Sequence, residues 1–192
     1  WVIDAPVNTV AMTDLMGLDT THLLANPRAR GPAMSVLFHY IDLMLDGTPL
    51  LIPIDEGWRA LEDDTFRPAI AAKIRTIRSK GGVIVFITQS PGDIVKAGIA
   101  DVLIDMCPTQ MHFANPRASR ADFTDGLKMT EGQWEAFRPI QPGEGLFLLV
   151  QGNEGVVLQL PLQYGMDEYI PVLSAREADL KRADRSQAIH QR

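Results

Sequence analysis

The sequence predicts an α/β layered domain whose mainly parallel sheet, flanked by helices, carries an antiparallel edge hairpin. Three observations carry that prediction. Two short apolar runs, residues 50–55 and 83–87, lack polar alternation, as strands buried on both faces of a parallel sheet do. A stretch with helical periodicity separates them and has the length of a crossover connection. Further on, residues 143–160 form two β-rich runs split by Gly152-Asn153-Glu154-Gly155, which signals a hairpin.

Taken in chain order, residues 1–31 are rich in turn formers and read as a loop-rich start with a short strand at its head. From Pro32, the apolar residues Val36, Leu37, Tyr40, Ile41, Met44 and Leu45 recur at helical spacing until Asp46-Gly47-Thr48-Pro49 stops them. The first strand follows. A helix over 66–80 places Ile70, Ile74 and Ile77 on one face, with Lys73, Arg75 and Arg78 interleaved, and Gly81-Gly82 ends it. The second strand closes on Thr88-Gln89-Ser90-Pro91. A helical connection over 94–106 leads to a third short strand, 109–114, ended by Asn115-Pro116. Helical pieces near 119–126 and 130–138 precede the hairpin, the second with Thr130-Glu131-Gly132-Gln133 at its N-terminus as a capping signal. A charged helix begins near Ser174.

At 192 residues the chain suffices for one domain with a real core, and its 46% hydrophobic and 22% charged residues are those of an ordinary globular protein. A net charge of −6 argues against broad nonspecific binding to nucleic acid. The single cysteine, Cys107, excludes an internal disulfide framework and fits a reducing compartment. No apolar run has the length of a membrane span, and no signal peptide opens the chain. His22, His39, His112 and His190 lack metal-ligand spacing, and no serine sits in a nucleophile elbow.

The chemistry concentrates where the first apolar run ends in two adjacent carboxylates, Asp55 and Glu56. Carboxyl ends of strands in open α/β sheets face the ligand crevice. Two neighbouring acids there repel each other and lose hydration, which is costly unless a cation or a reaction uses them. Nucleoside triphosphate hydrolysis is the chemistry that does, one carboxylate holding Mg2+ directly or through its water and the other orienting or deprotonating the attacking water; the plainer alternative is a strand end that happens to precede an acidic helix N-cap. A crossover makes the second strand parallel to the first, so Gln89 arrives on the same side, within reach of a terminal phosphate or that water, the alternative being that Gln89-Ser90-Pro91 is simply a polar turn. Trp58 is expected to pack the start of the next helix, and Arg117 and Arg120 to lie on a solvated surface.

These residues form part of an ordered series: Leu51-Ile52-Pro53-Ile54-Asp55-Glu56-Gly57-Trp58, Ile74-Arg75-Thr76-Ile77-Arg78, Val85-Phe86-Ile87-Thr88-Gln89-Ser90, Ala114-Asn115-Pro116, Gly143-Glu144-Gly145 and Val172-Leu173-Ser174-Ala175-Arg176-Glu177. Over roughly residues 30–185 the series resembles the C-terminal ATPase domain of the CagE/TrbE-type conjugation and type IV secretion ATPases. The resemblance implies a RecA-like P-loop NTPase core acting on ATP with Mg2+. In it Asp55 is the magnesium-side acid, Glu56 the catalytic acid and Gln89 the phosphate-sensing glutamine. Arg78, with Arg75 second, is the candidate for an arginine reaching a neighbouring subunit's nucleotide. The resemblance further implies a hexamer at full length, partners within a secretion or conjugation apparatus, and a place at the cytoplasmic face of the bacterial inner membrane. One part of the pattern departs: no Gly-x-x-x-x-Gly-Lys-Ser/Thr loop occurs in the 192 residues. Together with the start at Trp1, this reads as residues 1–192 being a single C-terminal part of such a domain, downstream of its Walker A region and inactive alone. A DNA-translocating or coupling ATPase of the same superfamily and a non-catalytic docking module are the competing readings.

Overall fold

A computed structural model of the chain describes residues 13–160, apart from positions 63, 65, 66 and 90. The strand expected at the head of the chain and the charged helix from Ser174 lie outside the described residues. The described residues form two compact units: one takes those up to Pro108 with Ser119–Thr130, the other Thr109–Ala118 with those from Glu131 to Leu160.

The first unit holds the parallel strands. After a short helix α1 (Thr21–Ala25), helix α2 runs over Pro27–Met44. It starts five residues before the Pro32 expected from periodicity. Pro27 occupies the first turn, where its missing N–H is not needed, and the Asn26 side chain accepts a hydrogen bond from the Arg28 amide at 3.1 Å, while Pro32 lies inside the helix. Strand β1 (Leu50–Asp55) leads through a 3-10 turn (Gly57–Leu61) to α3 (Arg67–Ser79), which buries Ile70, Ala71, Ile74 and Ile77 as its periodicity demands. Asp42 of α2 accepts Lys80 at 2.6 Å and Lys73 at 2.9 Å, and these two bonds hold its carboxyl down at about 2. Gly81 ends the helix at φ +87, a conformation that glycine adopts without a Cβ penalty.

Strand β2 (Gly82–Ile87) pairs with β1 in parallel, from Leu50 opposite Gly82 to Asp55 opposite Ile87. Ile52 is buried and Ile54, Ile84 and Phe86 are half-buried against a core that includes Phe38, Leu61, Ile77 and Ile99. The expectation of burial on both faces holds on that face only. Leu51, Val83, Val85 and Ile87 point the other way, and each is more than a third exposed. The strand's period of two assigns alternate residues to opposite faces, and both α2 and α3 belong to the buried side's core. The connection expected over 94–106 is two helices, α4 (Pro91–Lys96) and α5 (Ala100–Met106), broken at Gly98; the piece near 119–126 is a π-helical turn, Asp122–Gly126.

In the second unit, β3 (Thr109–Phe113) pairs antiparallel with β4 (Leu146–Gln151), and β4 with β5 (Glu154–Gln159). The third strand therefore joins the hairpin, and among the described residues the parallel strands are β1 and β2. Helix α6 (Glu131–Phe137) buries Gln133, Trp134 and Phe137. Gln133, read from sequence as part of a capping signal, donates its amide to the carbonyls of Gly152 (3.2 Å) and Glu154 (3.1 Å), pinning the hairpin turn. The His112 ring stands edge-on to Phe137, and burial pushes its pKa down to about 4. Among the described residues no helix is long and apolar enough to cross a membrane.

Candidate functional site

The site forms where β1 and β2 end. The ladder continues one residue past β1, the Glu56 amide donating at 2.8 Å to the carbonyl of Ile87, the last residue of β2. Glu56 then takes the left-handed conformation, φ 50 and ψ 25. For a residue with a side chain that conformation costs about 1 kcal/mol or more, so it persists because its surroundings impose it. One such constraint is the next residue, Gly57, whose position leaves no room for a Cβ against Ile54.

The turn directs the Glu56 carboxylate across to the end of β2. Its Oε1 accepts the Gln89 backbone N–H at 3.2 Å, and its Oε2 accepts the Thr88 hydroxyl at 3.3 Å. The Trp58 indole Nε1 also donates to Oε2. Trp58 itself is 5% exposed and belongs to the unit's core, with the Arg59 guanidinium 5.6 Å from its ring centroid. Packing is thus what the sequence led us to expect of Trp58. Its bond to the acid, and the part played by Thr88, were not foreseen; the one signal was an indole two positions beyond the acid. Arg30 of α2 fixes the 3-10 turn from outside, donating to the Arg59 carbonyl at 3.1 Å and pairing with Glu62.

Glu56 and Gln89 are therefore brought together, as the two strand ends predict, and Asp55 stands beside them at the tip of β1. The Asp55 carboxylate is exposed and takes no hydrogen bond or ion pair among the described residues. A free carboxylate of this kind suits Mg2+, which keeps several waters and needs only one or two protein carboxylates alongside phosphate oxygens. Among the described residues no group of three or more histidine, cysteine or acidic side chains makes a metal cage. The Gln89 side chain is exposed at the same rim. Arg75 and Arg78 are not part of this cluster. They lie exposed on α3, which ends next to the start of β2, a strand's length of roughly 17 Å from its tip. Cys107 is half-buried, and burial pushes its thiol pKa up, which suits an inert packing residue.

No family model matches the chain. Individual proteins do. The chain is 37% identical over 183 residues to the type IV secretion system protein VirB4 of Bartonella henselae, covering 94% of this chain and 23% of that protein. Its homologues are thus VirB4 and PtlC type IV secretion proteins. It is 34% identical to PtlC of Bordetella pertussis over 94% of its length and 22% of PtlC, and 30% identical to VirB4 of Brucella abortus over 91% of its length and 21% of that protein. It thus spans less than a quarter of the length of these relatives. The solved structure of VirB4 from Thermoanaerobacter pseudethanolicus matches with a TM-score of 0.50 at 15% identity, covering 69% of this chain and 36% of that one, a likeness of fold.

Proposed function

We propose that residues 1–192 of this VirB4-type chain are the C-terminal part of one RecA-like ATPase domain, in a motor that powers type IV secretion or conjugative transfer. The observation that carries the reading is the bond between the Glu56 carboxylate, at the tip of one strand, and the Gln89 amide, at the tip of its parallel neighbour. Made by the Gln89 backbone N–H, that bond keeps the acid beside the residue whose side-chain amide would sense the phosphate, an arrangement that suits hydrolysis of a terminal phosphate.

In this reading Glu56 accepts the proton that a water gives up as its oxygen bonds to the terminal phosphorus. The bond from that phosphorus to the bridging oxygen breaks, and its electron pair leaves on ADP. Asp55 would hold Mg2+, which would supply charge neutralisation at the phosphate oxygens. The exposed Gln89 amide reaches the terminal phosphate or the attacking water. Arg78, with Arg75 second, serves a neighbouring subunit's nucleotide, which is consistent with their distance from Glu56. Such a motor would be a hexamer, docked on other secretion subunits at the cytoplasmic face of the inner membrane. A phosphate-binding loop must come from outside these residues, since none occurs in them. That absence also favours a second reading, in which the chain by itself is a docking module.

The test is ATP turnover by the full-length protein carrying this segment. Glu56→Gln should lower kcat by roughly 100-fold or more while Mg2+-ATP still binds. Gln89→Ala should also lower kcat, and the isolated chain should show no turnover. Unchanged kcat in Glu56→Gln would overturn the assignment, and strong turnover by the isolated chain would overturn the need for an outside loop.

A further inference from the structure

We infer that Trp58 is a positioning residue for Glu56: with the Thr88 hydroxyl it occupies Oε2, and so designates Oε1 as the oxygen that takes the proton from water. This rests on the reading of Glu56 as general base and adds to it a supporting residue and a choice of oxygen.

The argument is an accounting of lone pairs. An ionised carboxylate offers about four acceptor positions on its two oxygens. Three are filled: two on Oε2, by Trp58 Nε1 and Thr88 Oγ1, and one on Oε1, by the Gln89 amide. The position left over is on Oε1. An indole N–H only donates, so its bond to Glu56 has one polarity, and a hydroxyl facing a carboxylate must donate too. Each donor sits on something rigid. Trp58 is anchored in the core at 5% exposure, and Thr88 and Gln89 follow directly from β2. An exposed glutamate would otherwise sample many rotamers, and a base must meet its water within a fraction of an ångström. The same burial argues against another role for the ring. With so little surface exposed, and Arg59 over the ring, Trp58 has no open face to stack on a base.

The experiment is a double-mutant cycle in the full-length protein, read by single-turnover ATP hydrolysis and by equilibrium binding of Mg2+-ATP. Trp58→Phe keeps most of the ring and removes the donor. It should lower the hydrolysis rate about 10- to 100-fold with nucleotide affinity nearly unchanged. Thr88→Val, which leaves the core ring in place, should lower it by a smaller factor and carries the test if Trp58→Phe does not fold. In a Glu56→Gln background both substitutions should be nearly silent, because the group they position is already gone. An equal fractional loss in the parent and Glu56→Gln backgrounds would mean general damage and overturn the inference. So would full rates in both single variants while Glu56→Gln is dead, an outcome that leaves the base assignment standing. Full activity in Glu56→Gln would instead remove the base assignment and this inference with it.

Discussion

Replacing Gly57 by alanine should loosen the fold at the point where it holds the acid. A Cβ at this position would lie 2.4 Å from Ile54 Cγ2, 2.9 Å from Ile54 Cβ and 3.1 Å from Phe86 Cδ1. Carbon atoms in contact prefer about 3.5–4.0 Å, so the first overlap exceeds ~1 Å. Rotating the Ile54 side chain relieves the clash with Cγ2 but not the one with Cβ, which the backbone of β1 fixes. The chain must therefore shift at Glu56 and Gly57. Overpacking of this kind costs about 1–3 kcal/mol, and alanine's smaller unfolded-state entropy returns about 0.4–1 kcal/mol, leaving a net loss of roughly 1–2 kcal/mol. With a urea slope of about 2 kcal/mol/M, the unfolding midpoint followed by circular dichroism should fall by roughly 0.5–1 M. Gly132→Ala is the control. That glycine lies in α6 with nothing within 4 Å of a built Cβ, so alanine there should be neutral or stabilising by up to about 1 kcal/mol. A Gly57→Ala midpoint within about 0.2 M of the parent would show that the strand end yields freely and refute the steric argument.

Two further outcomes follow from the second unit. His112 titrates near 4 in the folded chain against an ordinary 6.5, so between those values the unfolded state binds more protons. Its contribution is full above about pH 6.5 and is lost as pH falls toward 4, by up to about 3 kcal/mol, and His112→Gln should flatten that acid limb in melting temperatures measured across this range. Gln133→Leu removes the amide from two hairpin carbonyls and should destabilise by about 1–3 kcal/mol, with amide hydrogen exchange accelerated most in β4 and β5. Equal acceleration across all strands would contradict a local pin.

The elements legible in the sequence were those whose signal is local. The Ile70, Ile74 and Ile77 stripe, the Gly81 stop and the Gly152-Asn153 hairpin each depend on residues within a few positions of one another. They fell close to where periodicity and turn chemistry put them. The expected start of α2 at Pro32 follows the onset of the apolar period, whereas the Asn26-Pro27 pair supplies a first-turn signal five residues earlier. The partner of β3 was not legible at all. Its sequence fits either edge of a parallel sheet or the hairpin, and pairing is a choice between distant segments.

The site divides along the same line. Two apolar runs that both end in polar residues, with a crossover between them, were enough to determine that Asp55, Glu56 and Gln89 share a rim, because chain direction in a parallel pair fixes which ends meet. The tertiary structure alone decided how Glu56 is held: a left-handed backbone, a glycine pressed on Ile54, and donors from Trp58, Thr88 and the Gln89 amide. Residue order sets strand polarity, whereas hydrogen bonds depend on distances of a few tenths of an ångström, which only the packed chain sets.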